Sequence, residues 1–158
     1  MIHHPIDPIY DDTSQILILG SFPSVKSREA CFYYGHPQNR FWNVCAAVFE
    51  ETVPETIQQK RDFLLRNHVA VWDVIASCDI TGSADSTIKN VVANDLSVIL
   101  DVAPVGKIFV NGRTAEKYYL KYSKPKTGRD AILLPSTSPA NAAWSLIKLI
   151  EAWRIIKT

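Results

Sequence analysis

Two unbroken apolar runs, residues 16–19 (Ile-Leu-Ile-Leu) and 131–134 (Ala-Ile-Leu-Leu), each lead straight into a turn. The first enters Gly20-Ser21-Phe22-Pro23-Ser24 and the second enters Pro135-Ser136-Thr137-Ser138-Pro139. A strand with one face in water alternates apolar and polar side chains, whereas an unbroken run suits a strand covered on both faces, as in a parallel sheet between helices. Residues 69–75 and 107–110, the latter followed by Asn111-Gly112, are two more strand candidates.

Helical patterns separate these runs. Phe41, Cys45, Val48 and Phe49 recur at helical spacing, and 55–67 places Ile57 near Phe63 and Leu64 after Pro54, a residue suited to a first turn. Residues 95–102, with Asn94 available as a cap, and 113–122 are shorter helices. The last helix is expected over 140–156, with Leu146, Leu149, Ile150 and Trp153 on one stripe. Alternation of this kind predicts an α/β fold, a three-layer αβα sandwich with a four-stranded parallel sheet. At 158 residues the chain is read as a single domain spanning 1–158, long enough to bury a core without a disulfide or metal staple. Ligands of such sheets bind beyond the carboxyl ends of strands, here the turns after Leu19, Val110 and Leu134.

Composition narrows the function classes. Seventeen basic against sixteen acidic residues exclude a histone-like polycation. Cys31, Cys45 and Cys78 show no zinc-ligand spacing and suit a reducing compartment. The N-terminal segment lacks the apolar core of a signal peptide, and no run approaches the roughly 20 residues of a membrane span. The expectation is a soluble, cytoplasmic protein with no membrane contact.

Familiar enzyme loops are absent: neither a dinucleotide glycine loop, nor a phosphate-binding G-x-x-x-x-G-K-[ST], nor a G-x-S-x-G elbow occurs. A nucleophile at Ser24 or Ser136 needs a histidine base, and His3, His4, His36 and His68 lack supporting spacing. The Ser136-Thr137-Ser138 turn reads either as a helix cap alone or as an anion site offering backbone N–H groups. Residues 113–129 carry six basic side chains against Glu116, interleaved with Tyr118, Tyr119 and Tyr122: either a solvated face or a phosphate-backbone contact. The segment 32–42, Phe-Tyr-Tyr-Gly-His-Pro-Gln-Asn-Arg-Phe-Trp, sets aromatic faces beside amides, which is what stacking on and reading a planar heterocycle requires.

Gly20-Ser21-Phe22-Pro23-Ser24, His36-Pro37-Gln38-Asn39-Arg40-Phe41-Trp42, Asn111-Gly112 and Pro135-Ser136-Thr137-Ser138, in that order, resemble the uracil-DNA glycosylase superfamily. The likeness is strongest to its hypoxanthine-DNA glycosylase (DNA-deoxyinosine glycosylase) branch. It implies a monofunctional glycosylase that hydrolyses the N-glycosidic bond of a deaminated base, hypoxanthine foremost, in duplex DNA during base excision repair. It further implies a monomer with no cofactor and no metal. In the mismatch-specific branch an Asn in the first motif positions water; Phe22 stands there, so the resemblance shifts catalysis to Asn39 with Asn111 as a second polar group. Ser21, Phe22, Pro23, Tyr34 and His36 are then expected to hold the base. Ser136, Thr137, Ser138, Pro139 and Ala140 are expected to grip DNA.

The residues leave alternatives open. Asn39 also suits a helix cap, Asn111 a turn with Gly112, and Tyr34 plain packing. Trp72-Asp73 reads as a core Trp with a cap, and Asp85-Ser86 as a polar loop without a role. Where relatives carry a Leu or Arg wedge, Ala140 is too small to fill a vacated stack, leaving Asn141 as a weak substitute. Competing functions are a mismatch-type uracil/thymine glycosylase and a non-catalytic module binding damaged or single-stranded DNA. A nucleoside hydrolase is disfavoured because no acidic residue lies within these motifs.

Overall fold

A computed structural model describes residues 1–157. Its centre is a four-stranded parallel sheet in the order β3-β2-β6-β7, formed by β2 (Ile16–Gly20), β3 (Val69–Asp73), β6 (Lys107–Asn111) and β7 (Ala131–Leu134). Every residue of β2 and β3 is buried, as their unbroken apolar sequence demands. Ile18 registers with Val71 on one side and with Phe109 on the other, so β2 is the middle of the core.

Helices cover both faces. α1 (Val25–Ala30) follows β2 and is capped by Ser24, whose hydroxyl accepts from the Ser27 amide. α2 (Phe41–Phe49) packs on α7 (Leu146–Trp153), burying Phe41 against Trp153. α3 (Ile57–Arg66) starts with a reciprocal cap between Thr56 and Gln59 and leans on β3. α4 (Ser97–Leu100) is a single turn held by the Asp95 carboxylate, which accepts from Ser97, while Asn94 donates instead to the Asp73 carbonyl. α5 (Arg113–Tyr118) winds through a wide turn into α6 (Lys124–Thr127).

Two features depart from the sequence reading. Residues 69–75 are not one strand: at Val74 the chain steps out of the parallel sheet, with the Val74 and Ile75 amides donating to the Gly20 and Ser21 carbonyls. It continues as β4 (Ile75–Asp79), which joins β1 (Ile2–His3) and β5 (Lys89–Ala93) in a small antiparallel sheet. The last helix begins at Leu146 rather than at 140, because residues 138–144 curl into a loop whose carbonyls are taken up by Arg40. Ser145 is therefore the cap of α7, and the Ser136-Thr137-Ser138 turn caps no helix.

Candidate active site

The carboxyl ends of all four parallel strands open into one cleft of about 740 Å³, within the usual range for small-molecule pockets. Gly20 and Ser21 follow β2, Asp73 ends β3, Asn111 and Gly112 end β6, and residues 134–138 follow β7. The loop at 83–85 after β4 supplies the opposite rim. Ser21, Phe22, Pro23, Tyr34, Asn39, Asn111, Ser136, Thr137, Ser138 and Ala140 all line this cleft, so the separate motifs converge. His36 and Pro139 are not among its lining residues; the His36 ring instead accepts from the Gln38 amide at the surface.

A directional chain of hydrogen bonds crosses the cleft wall. The Thr137 amide, which can only donate, donates to Asn111 Oδ1 (3.1 Å), and Asn111 Nδ2 donates to Thr137 Oγ1 (3.1 Å). The Thr137 hydroxyl passes its hydrogen to Asn39 Oδ1 (2.9 Å). That oxygen also accepts from the Phe41 amide (2.9 Å), which fixes it as oxygen rather than nitrogen. Asn39 thus accepts from the first amide of α2, although the N-cap residue itself is Arg40, and the two bonds take up both lone pairs of its carbonyl. Its Nδ2 is engaged by no described residue. Thr137 itself is fully buried, and Gly112 at φ 95° lets β6 approach it, since a Cβ there would stand 3.0 Å from the Ser136 Cβ.

Asp73 is the residue the sequence reading missed. It is 4% exposed, and its Oδ2 receives His4 Nε2 at 2.7 Å. The Ile6 amide donates to His4 Nδ1 (3.2 Å), so that nitrogen is an acceptor and the ring is the neutral tautomer with its hydrogen on Nε2. Asp73 Oδ1 has no partner among the described residues and faces the cleft. Gly20 makes the room: a Cβ there would lie 2.4 Å from that oxygen and 3.3 Å from the Tyr34 hydroxyl. No acidic residue lies within the sequence motifs, yet Asp73 from outside them brings a carboxylate to the cleft. The contact joins residues 69 positions apart, which no local spacing reveals.

Tyr34 stacks on Phe41 with ring centroids 4.0 Å apart and holds a left-handed φ of 53°. Its hydroxyl is buried without a hydrogen-bond partner, and burial beside Asp73 pushes its acidity far above the ordinary tyrosine range. Phe22 stands edge-on to His4 at 5.9 Å, and the Arg28 guanidinium covers its ring at 5.7 Å. Asn141 donates its amide to the Ser136 carbonyl (3.0 Å) at the edge of the cleft. Trp144, partly exposed at the cleft mouth, is the large aromatic there.

Some expected features fall outside this arrangement. Ser24 and Ser136 bond to no histidine: the Ser24 hydroxyl donates to Ser27, and Ser136 accepts from the Ser138 amide. In the basic tract Tyr118 and Tyr119 are core residues, and Tyr122 stacks on Tyr118 (6.2 Å). Lys117 and Lys121 lie over Tyr118 and Tyr122, so the exposed lysines rather than the rings meet solvent. Among the described residues no group of three or more His, Cys, Asp or Glu could hold a metal ion. No described helix is long and apolar enough to cross a membrane.

The model of the uracil DNA glycosylase superfamily matches residues 8–157. The chain belongs to that superfamily. It is 33% identical over 147 residues to a hypoxanthine DNA glycosylase of Methanosarcina acetivorans, covering 92% of each chain. It is 35% identical over 113 residues to a hypoxanthine DNA glycosylase of Methanosarcina barkeri, covering 70% of this chain and 72% of that relative. The solution structure of a candidate uracil DNA glycosylase from M. acetivorans superposes over the whole of both chains with a TM-score of 0.82 at 31% identity. The protein is thus a DNA glycosylase, a hydrolase of N-glycosyl bonds, on the fold of that superfamily.

Proposed function

We propose that the protein excises hypoxanthine from duplex DNA as a monofunctional glycosylase, with Asn39 as the catalytic residue. The observation that carries this reading is the polarity of the Asn111–Thr137–Asn39 chain. It ties up the Asn39 carbonyl and leaves the Nδ2 hydrogens for the cleft. Asn39 is accordingly a donor to the leaving base rather than an acceptor for water.

Hydrolysis breaks the bond between C1′ and the base nitrogen, and the electron pair stays with the base. Water forms the new bond to C1′, and its proton ends on solvent or the departing base. Positive charge gathers on the sugar and negative charge on the base, so an oriented donor at the base stabilises the transition state. Removing one such donor typically costs about 3–4 kcal/mol. Asn39 needs no proton of its own, which suits an amide.

Asp73 supports a preference for deaminated over intact bases. Deamination turns the bare ring nitrogen of adenine or cytosine into an N–H beside a carbonyl. Asp73 Oδ1, held by His4 through its twin oxygen, is an acceptor for that N–H and repels a bare lone pair. A base inside a duplex cannot reach this floor and must be flipped out, at a cost of a few kcal/mol. Ser136, Thr137 and Ser138 meet the flanking phosphates, and Trp144 covers the gap that Ala140 is too small to fill. No lysine lines the cleft among the described residues, which supports hydrolysis without strand scission through an imine.

The test is single-turnover cleavage of labelled duplexes carrying hypoxanthine, uracil, xanthine or adenine, read with and without alkali. Cleavage at hypoxanthine that appears only after alkali is expected. Bound DNA with no cleavage at hypoxanthine overturns the substrate assignment, and strand breaks without alkali overturn the monofunctional one.

A further inference from the structure

We infer that Arg40 is a positioning residue that locks the loop at 138–144 to Asn39, so that gripping DNA and placing the catalytic amide are one event. This inference rests on the assignment of Asn39 above.

Arg40 is the residue next to Asn39, and it is half-buried under the loop. Its guanidinium donates to the carbonyls of Ser138 (3.1 Å), Asn141 (3.0 Å) and Trp144. Its backbone amide donates to the Thr137 carbonyl (3.1 Å). Thr137 in turn holds Asn39 through its hydroxyl. Two consecutive residues, Asn39 and Arg40, therefore hold the segment after β7 from the Thr137 hydroxyl to the Trp144 carbonyl.

The chemistry of this contact is unusual for an arginine. Among the described residues Arg40 makes no ion pair, so a full cation is spent on three neutral carbonyls. The planar fork suits that task because its N–H groups diverge at fixed angles, whereas an ammonium is a single point of charge. The same charge, left unneutralised, also sits beneath the surface that a phosphate would approach.

A phosphate pressing on this loop is thus felt at Asn39 through Thr137, and a displaced loop misplaces Asn39. Misplacement of about 1 Å can cost on the order of a hundredfold in rate. A lysine at 40 keeps the charge but cannot span three carbonyls. Affinity and rate should therefore separate in Arg40→Lys, whereas a purely electrostatic role predicts that they stay together.

The experiment measures duplex affinity, single-turnover rate at saturating enzyme and thermal stability for wild type, Arg40→Lys and Arg40→Ala. Arg40→Lys is expected to bind within about threefold of wild type while cleaving at least about tenfold more slowly, in a folded protein. Arg40→Ala is expected to lose both affinity and rate. A lysine variant that cleaves at the wild-type rate overturns the lock and leaves charge alone. A variant slowed only in proportion to its unfolded fraction overturns it in favour of simple stability. Hydrogen exchange supplies a readout that needs no substrate: Arg40→Lys should speed exchange at the amides of 138–144, and unchanged exchange there overturns the lock. Failure of wild type on hypoxanthine falls on the substrate reading, because the exchange arm tests the lock without it.

Discussion

The two walls of the cleft are built by different means. On one side, Asn39, Asn111 and Thr137 are fastened to one another at the ends of parallel strands, and Thr137 has no exposure at all. On the other side, Ser83, Ala84 and Asp85 stand on an exposed loop between strands of the small antiparallel sheet. Few bonds tie this loop to α1: Arg28 reaches the Gly82 carbonyl (2.5 Å) and the Val25 amide donates to Ser83 Oγ (2.9 Å). Asp73 sits between the two, buried like the first wall but held by His4 from just beyond β1 of the small sheet. On the role proposed for Asn39, the chemistry stands on the wall that is tied by hydrogen bonds, and the exposed rim faces it.

The strongest way to break that comparison is Asn39→Asp. The carboxylate keeps an acceptor for the Thr137 and Phe41 donors but carries no hydrogens into the cleft. Excision should fall by at least about a hundredfold, close to Asn39→Ala, with binding retained. A rate near that of wild type would mean that Asn39 accepts from water, and the donor assignment would be withdrawn.

Asp73→Asn comes next. The His4 Nε2–H holds an oxygen on its side, so the new amide turns its nitrogen to the cleft, where a donor meets the N–H of the base. Losing a hydrogen bond to a charged group costs about 2 kcal/mol, or roughly thirtyfold in hypoxanthine excision. The ratio of hypoxanthine to uracil cleavage measures whether Asp73 reads a feature common to both. A fall at hypoxanthine alone would show that it reads the purine instead. Gly20→Ala perturbs the same oxygen from behind, since the added Cβ falls 2.4 Å from it. Overpacking of this kind costs about 1–3 kcal/mol of stability, visible as a lowered midpoint in denaturant. An unchanged midpoint would mean that Asp73 relaxes freely and is not rigidly held.

Most of the fixed wall was legible in the chain. Unbroken apolar runs announced β2, β6 and β7, and the polar residues that follow them had to lie at one edge of the sheet. The break at Val74 was not legible, because Val and Ile resume directly after Asp73 and residues 69–75 read as one strand candidate whether or not the backbone changes sheet partway. With it went β1, β5 and the partnership of His4 with Asp73, which depends on the N-terminal segment folding back on β4. The start of α7 was misplaced for a related reason. Residues 140–145, Ala-Asn-Ala-Ala-Trp-Ser, carry good helix formers, but Arg40, a hundred positions away, holds their carbonyls in a loop. Local propensity loses wherever a distant side chain supplies the hydrogen bonds.

The smallest expected effect lies on the exposed rim and tests its independence. Burial of its carboxyl against the cleft wall pushes the pKa of Asp85 above the ordinary 3.8, although nearby Thr114 pulls the other way. An acid with a raised folded pKa binds its proton more tightly when folded. Stability therefore falls as pH rises from 3.8 through that raised value and stays lower at neutral pH, where the charge is held in both states. Asp85→Asn removes the charge at nearly the same size. It should stabilise the protein at neutral pH, by no more than about 0.5 kcal/mol because the residue is solvent-exposed. Below 3.8 the two proteins should melt together, since both side chains are then neutral. Excision of hypoxanthine by Asp85→Asn should stay within about twofold of wild type if this rim only frames the cleft. A loss approaching that of Asp73→Asn would instead make Asp85 part of the chemistry, and the division between a working wall and an adjustable rim would fail.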